Sequence, residues 1–124
     1  PGGRLIAVIM PKFCLWENLY FAAKFRFSRA FRRNTDTEVI ANLHGEELAI
    51  WHYSPDEIKK WSFDRFSCLT VRPVGFTLPP SYLEKFFTNR RRLLSGLNSI
   101  EKRVGNLSFL SGMSDHFLID LQLR

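Results

Sequence analysis

The stretch Pro1-Gly2-Gly3-Arg4-Leu5-Ile6-Ala7-Val8-Ile9-Met10-Pro11 decides how the rest of the chain is read. Arg4 to Met10 is an almost unbroken apolar run between a Pro-Gly-Gly turn and a proline that ends it. Runs without polar alternation suit a strand buried on both faces, as in a parallel sheet covered by helices. A strand reached within three residues of a Pro1 that is not methionine reads as one begun inside a larger domain. The run is far short of the ~20 residues that span a bilayer. No secretory signal is expected either, because a cationic leader and a small-residue cleavage site are both missing from it.

Beyond Pro11 the apolar period becomes helical. Trp16, Leu19, Tyr20, Ala23, Phe27, Ala30 and Phe31 fall on one face, predicting a single helix from Leu15 to Arg33. Asn34 to Glu47 is polar and contains Gly45, which predicts a loop with a short helical turn around Glu38 to Ala41. Leu48 to Tyr53 is a short strand candidate. Ser54-Pro55-Asp56-Glu57 then carries a capping box with proline at the first helical position, opening a helix to about Trp61. Phe63 to Val74 is rich in β-branched and aromatic residues and predicts a strand that holds Cys68 in the core. Pro79-Pro80-Ser81 opens a helix through Phe87, with Leu83, Phe86 and Phe87 inward. Asn89 caps a further helix, Arg90 to Val104, stopped by Gly105. Asp115 to Leu123 closes the chain as a strand with Phe117, Ile119, Leu121 and Leu123 on one face. Strands alternating with helices predict an α/β layered fold.

Composition agrees with one small unit. The 124 residues are 45% hydrophobic and 24% charged, too apolar and too mixed in charge for a disordered chain. Two cysteines, Cys14 and Cys68, make no disulfide framework and read as thiols of a reducing compartment, so the expected location is cytoplasmic. Eighteen Lys and Arg against twelve Asp and Glu leave a net charge of +6, clustered in part as Arg32-Arg33 and Arg90-Arg91-Arg92. Phosphate contact by those clusters is one reading. Solvated helix ends are the favoured one, since no zinc-ligand spacing or helix-turn-helix pattern accompanies the charge.

The order of these segments resembles the C-terminal part of class I S-adenosylmethionine-dependent methyltransferases. Pro1-Gly2-Gly3-Arg4-Leu5-Ile6-Ala7-Val8 is similar to the turn and fifth strand of that family. Tyr53-Ser54-Pro55-Asp56-Glu57-Ile58 resembles the segment that caps the helix before its sixth strand, to which Phe63 to Gly75 corresponds. Asp115-His116-Phe117-Leu118-Ile119 resembles the closing antiparallel strand. Pro79-Pro80-Ser81-Tyr82-Leu83 and the helix after it resemble an insertion found in one small-molecule branch. The resemblance implies a Rossmann-like sheet represented by its last three strands plus a short extra strand. It also implies S-adenosylmethionine as the cofactor and a small-molecule acceptor. The family's glycine-rich cofactor loop and the acidic residue ending its second strand have no match in these 124 residues, so the chain alone is expected to bind the cofactor poorly and to be inactive. Self-association or a strand-swapped dimer is expected through the edge of the opening strand. The alternative is a small basic module that binds RNA or a protein partner.

In open α/β sheets ligands bind beyond the carboxyl ends of the parallel strands, which places the segment after Met10 at the site. Phe13, Cys14, Trp16, Glu17 and Tyr20 are therefore the candidate substrate-binding residues. Glu17 can accept a hydrogen bond from the acceptor, or simply favour a helix N-terminus electrostatically. Cys14 lacks a neighbouring base at any recognisable spacing and reads as a passive thiol. His44, His52 and His116 are too scattered for a metal site. His52, beside a helix start, can exchange a proton near neutrality or serve the structure. Asp115 is expected to satisfy backbone donors at a strand start.

Overall fold

A computed structural model describes residues 2–124, the side chain of Tyr82 excepted; Pro1 of the opening turn lies outside the described residues. The central sheet contains β1 (Arg4–Ile9), β4 (Phe66–Val74) and β5 (His116–Leu123), in the order β1-β5-β4. β5 runs antiparallel to both neighbours, so β1 and β4 are parallel to each other and their carboxyl ends lie at the same end of the sheet. Alternation along β5 builds the core. Phe117, Ile119 and Leu121 are buried with Val71 of β4, and Ala7, Ile9, Ile58 and Phe66 pack on them. Asp120, on the opposite face, is buried beneath the Arg4 guanidinium that pairs with it.

The opening strand differs from expectation. Its partner among the described residues is the antiparallel β5, and Leu5, Ile6 and Val8 remain exposed, so in this chain β1 is an edge strand and not one buried on both faces.

The helix expected over 15–33 is two. α1 (Leu15–Ala23) ends where Phe25 takes a left-handed conformation at φ 56°. The Arg26 amide bonds to the Phe21 carbonyl and the Phe25 amide to that of Ala22, the two bonds of a Schellman cap, after which α2 (Phe27–Ala30) sets off in a new direction. Glycine usually marks such a stop, and phenylalanine in its place hid the break.

The loop expected over 34–47 is half of a hairpin. β2 (Val39–Leu43) pairs antiparallel with β3 (Glu46–Ile50), which begins and ends earlier than the strand expected at 48–53 and, among the described residues, joins no strand of the central sheet. His44 and Gly45 both have positive φ, 53° and 93°, the two-residue turn whose twist matches paired strands. The polar sequence concealed it because both strands are largely exposed.

α3 (Pro55–Ser62) carries the expected capping box: the Glu57 amide donates to Ser54 Oγ, and the Ser54 amide donates to the Glu57 carboxylate. β4 starts three residues later than expected and shifts register between Cys68 and Thr70, a bulge on an edge strand that leaves Cys68 exposed and not in the core. After it come a 3-10 turn (Ser81–Leu83), α4 (Glu84–Phe87) and α5 (Arg91–Val104). Phe87 is buried whereas Phe86 is exposed, because a helix as short as α4 turns only one of two adjacent rings inward. Arg90, not Asn89, is the residue preceding α5, and no side chain caps that end. Glu101 ties α5 to the sheet: its carboxylate accepts the amides of Gly75, Phe76 and Thr77 at 2.8, 3.1 and 2.7 Å. The architecture is thus mixed α/β with two antiparallel sheets. Among the described residues no helix is long and apolar enough to cross a membrane.

Candidate functional site

Three connections meet beyond the carboxyl end of β1. The Tyr53 amide donates to the Met10 carbonyl at 3.3 Å, and the Leu15 amide to the Met113 carbonyl at 2.9 Å. The β1–α1 turn is thereby joined both to the start of α3 and to the 3-10 turn (Ser108–Gly112) that precedes β5. Lys12 adds a side-chain tie, reaching Glu57 at 2.6 Å and Asp36 at 2.5 Å. Its pKa is raised, chiefly by the hydrogen bond to Asp36, and the same ammonium lowers that of Glu57.

At the centre of this junction is a buried charge cluster. The Glu17 side chain is only 1% exposed. Arg32 Nε donates to its Oε1 at 2.7 Å. Arg33 Nη2 lies 2.7 Å from Oε2 as an ion pair whose geometry falls short of a hydrogen bond. Arg33 also donates to the Asp115 carbonyl at 3.2 Å and to its carboxylate at 3.1 Å, while the other carboxylate oxygen lies 3.1 Å from His116 Nδ1. Asp115 therefore takes side-chain donors, not the backbone donors expected of it. Burial works against the Arg33 charge, but Glu17, Cys14 and Asp115 outweigh it and raise the pKa. Neutralised this way, two carboxylates and two arginines stand the desolvation that unpaired charges would not.

Cys14 and His52 border the cluster. Burial pushes the Cys14 thiol up, and its Sγ lies 3.9 Å from Asp115 Oδ1, which leaves a neutral thiol and a poor nucleophile. His52 is buried, and burial first, then the Arg33 charge, lower its pKa. It is therefore a neutral imidazole at pH 7, with an Nδ1 that has no hydrogen-bond partner among the described residues. Among the described residues no group of His, Cys, Asp and Glu could hold a metal ion.

The five residues expected to bind substrate divide between two faces of α1. Cys14 and Glu17 point into the buried cluster, with Asn18 Oδ1 accepting the Cys14 amide at 3.3 Å. Trp16 and Tyr20, four apart on the same helix, fall on another face, while Phe13 lies in the turn before α1; all three are half-buried. Trp16 meets Phe87 edge-to-face, ring centroids 6.4 Å apart, and Tyr20 is met by Lys24 Nζ at its hydroxyl, 2.5 Å away. That Trp16–Phe87 contact joins α1 to the helical segment after β4. A cleft of about 600 Å³ opens there, walled by Pro79, Pro80, Phe87 and Leu94, with Glu84 and Arg91 among its polar groups. Nothing local in the sequence brings Arg33 and Asp115 into one cluster or marks the cleft. The first pair is 82 positions apart, and a diarginine at a helix end and an aspartate before a strand are each unremarkable alone.

No model of a known protein family matches the chain, and no curated protein is similar to it at a level that marks a relative.

Proposed function

We propose that these residues form the acceptor side of an S-adenosylmethionine-dependent methyltransferase that acts on a small apolar or aromatic molecule. One observation carries the reading. The resemblance implies a closing antiparallel strand after two strands of a Rossmann-like sheet, and β5 runs antiparallel between β1 and β4, which are parallel to each other. The carboxyl ends of β1 and β4 then deliver Trp16 and the Phe87 cleft to the end of the sheet where α/β folds bind ligands.

The described residues do not themselves make a cradle for the cofactor. Gly75 follows a strand at φ 71°, but its amide is taken by Glu101 and an added Cβ would come within 3.4 Å of Asp115 Cβ. The chain's own contribution is orientation. The Glu17–Arg33–Asp115 cluster fixes the start of α1, and Trp16 packs edge-to-face on Phe87, the aromatic ring in the cleft wall.

The test is formation of S-adenosylhomocysteine by the full-length encoded protein against a panel of small aromatic and aliphatic acceptors, beside titration calorimetry of the 124-residue chain with S-adenosylmethionine. Turnover by the former and no measurable binding by the latter support the reading. Tight cofactor binding by the 124 residues alone would overturn the division of labour. The exposed Leu5, Ile6 and Val8 along the edge of β1 further lead us to expect self-association of the chain at high concentration. Sedimentation should show it, and Ile6→Lys should suppress it; a strictly monomeric profile would count against it.

A further inference from the structure

We infer that the cleft between the 79–87 segment and α5 takes an acceptor with an apolar body and one anionic group, a carboxylate or its equivalent, with Arg91 meeting the charge. This deepens the acceptor-side reading and rests on it. The cleft walls supplied by Pro79, Pro80, Phe87 and Leu94 are apolar and give an aliphatic or aromatic body about 600 Å³. Arg91 stands in the wall of this cleft and also lines two further hollows beside the start of α5, which places the residue where it can meet the charge.

Charge points to an anion. Arg90, Arg91 and Arg92 crowd the start of α5, where no acidic residue lies in the first turn and no side chain caps the amides. Cations there oppose the helix dipole, so the arrangement costs the fold some stability unless an anion answers it. Arg90 is occupied, its guanidinium 3.8 Å over the Phe86 ring. Glu84 is the one acid in the cleft wall against Arg91, and no ion pair joins the two among the described residues. A bare phosphate would leave the apolar walls wet, and an alcohol would leave the arginine unmatched; a molecule with both parts answers both.

The experiment is a titration of the 124-residue chain with octanoate, 1-octanol and inorganic phosphate, followed by backbone amide shifts in NMR. Octanoate should bind with shifts centred on Phe87, Thr88, Arg91 and Leu94, at least tenfold tighter than octanol or phosphate. Arg91→Gln should weaken octanoate about tenfold and leave octanol unchanged, whereas Arg103→Gln at the far end of the same helix should alter neither. Equal binding of octanoate and octanol, phosphate binding as well as octanoate does, or shifts centred on β1 would each overturn the assignment. The readout needs no methyl transfer, so octanoate bound in the cleft by a full-length protein that transfers no methyl group would refute the function and leave the ligand class standing.

Discussion

Arg32-Arg33 and Arg90-Arg91-Arg92 look alike in the sequence and do opposite things in the fold. The first pair is brought by the turn at Phe25 onto Glu17 and Asp115, Arg33 buried among them and the half-exposed Arg32 closing over Glu17. In the second, Arg90 stacks on Phe86, while Arg91 stands in the cleft walls at the uncapped start of α5. A count of cations cannot separate the two. What separates them is whether the chain brings an acid to meet the charge, and that depends on contacts across 15 and 82 positions.

The comparison breaks most readily at Glu17. Glu17→Ala leaves Arg33 buried without its closest counter-charge and should cost roughly 3 kcal/mol, read from the urea midpoint at unchanged slope. A loss under about 1 kcal/mol would mean that the first cluster is solvated after all. Second in size is Glu101, which holds the 75–77 turn against α5 and so shapes the cleft beside the second cluster. Burial would raise its pKa, but the donors from Thr77, Phe76 and Gly75 prevail and hold it below the ordinary 4.5. Its stabilisation is accordingly complete above about pH 4.5 and is lost as pH falls through the lower folded value. Glu101→Gln should cost roughly 1–2 kcal/mol at pH 7 and flatten the acid limb of stability against pH; an unchanged acid limb would refute the role.

Phe25→Gly tests the turn that delivers Arg33. The residue is 85% exposed and sits at positive φ, so glycine should raise stability by about 1 kcal/mol in thermal unfolding. Destabilisation would show that the ring, not the backbone, matters there. The smallest effect belongs to Arg91→Ala, expected within about 0.5 kcal/mol of the parent because no internal partner is lost. A cost comparable to that of Glu17→Ala would erase the distinction between the clusters.

Much of the frame was legible because it rests on local rules. The capping box at Ser54, the alternation of Phe117, Ile119 and Leu121, and the proline after Met10 each announce an element through two to four neighbouring residues. The sequence misled where an unusual residue took a glycine-like conformation, at Phe25 and at His44, and where a hairpin had no buried face to impose alternation. At the site, the residues after β1 lie beyond that strand's carboxyl end, where the β1–α1 turn meets the start of α3 and the turn before β5. Their division into a closed polar face and an aromatic face was not legible. It follows from the partners Arg33, Asp115 and Phe87, which only the folded chain brings near.

The most direct test of the central claim is transfer of a radiolabelled methyl group from S-adenosylmethionine by the full-length encoded protein to acceptors that pair an apolar body with a carboxylate. The account predicts labelled product with S-adenosylhomocysteine in equal amount, and loss of preference for the carboxylate-bearing acceptors in Arg91→Gln. A folded full-length protein that binds such molecules in the Phe87 cleft and labels none of them would contradict it.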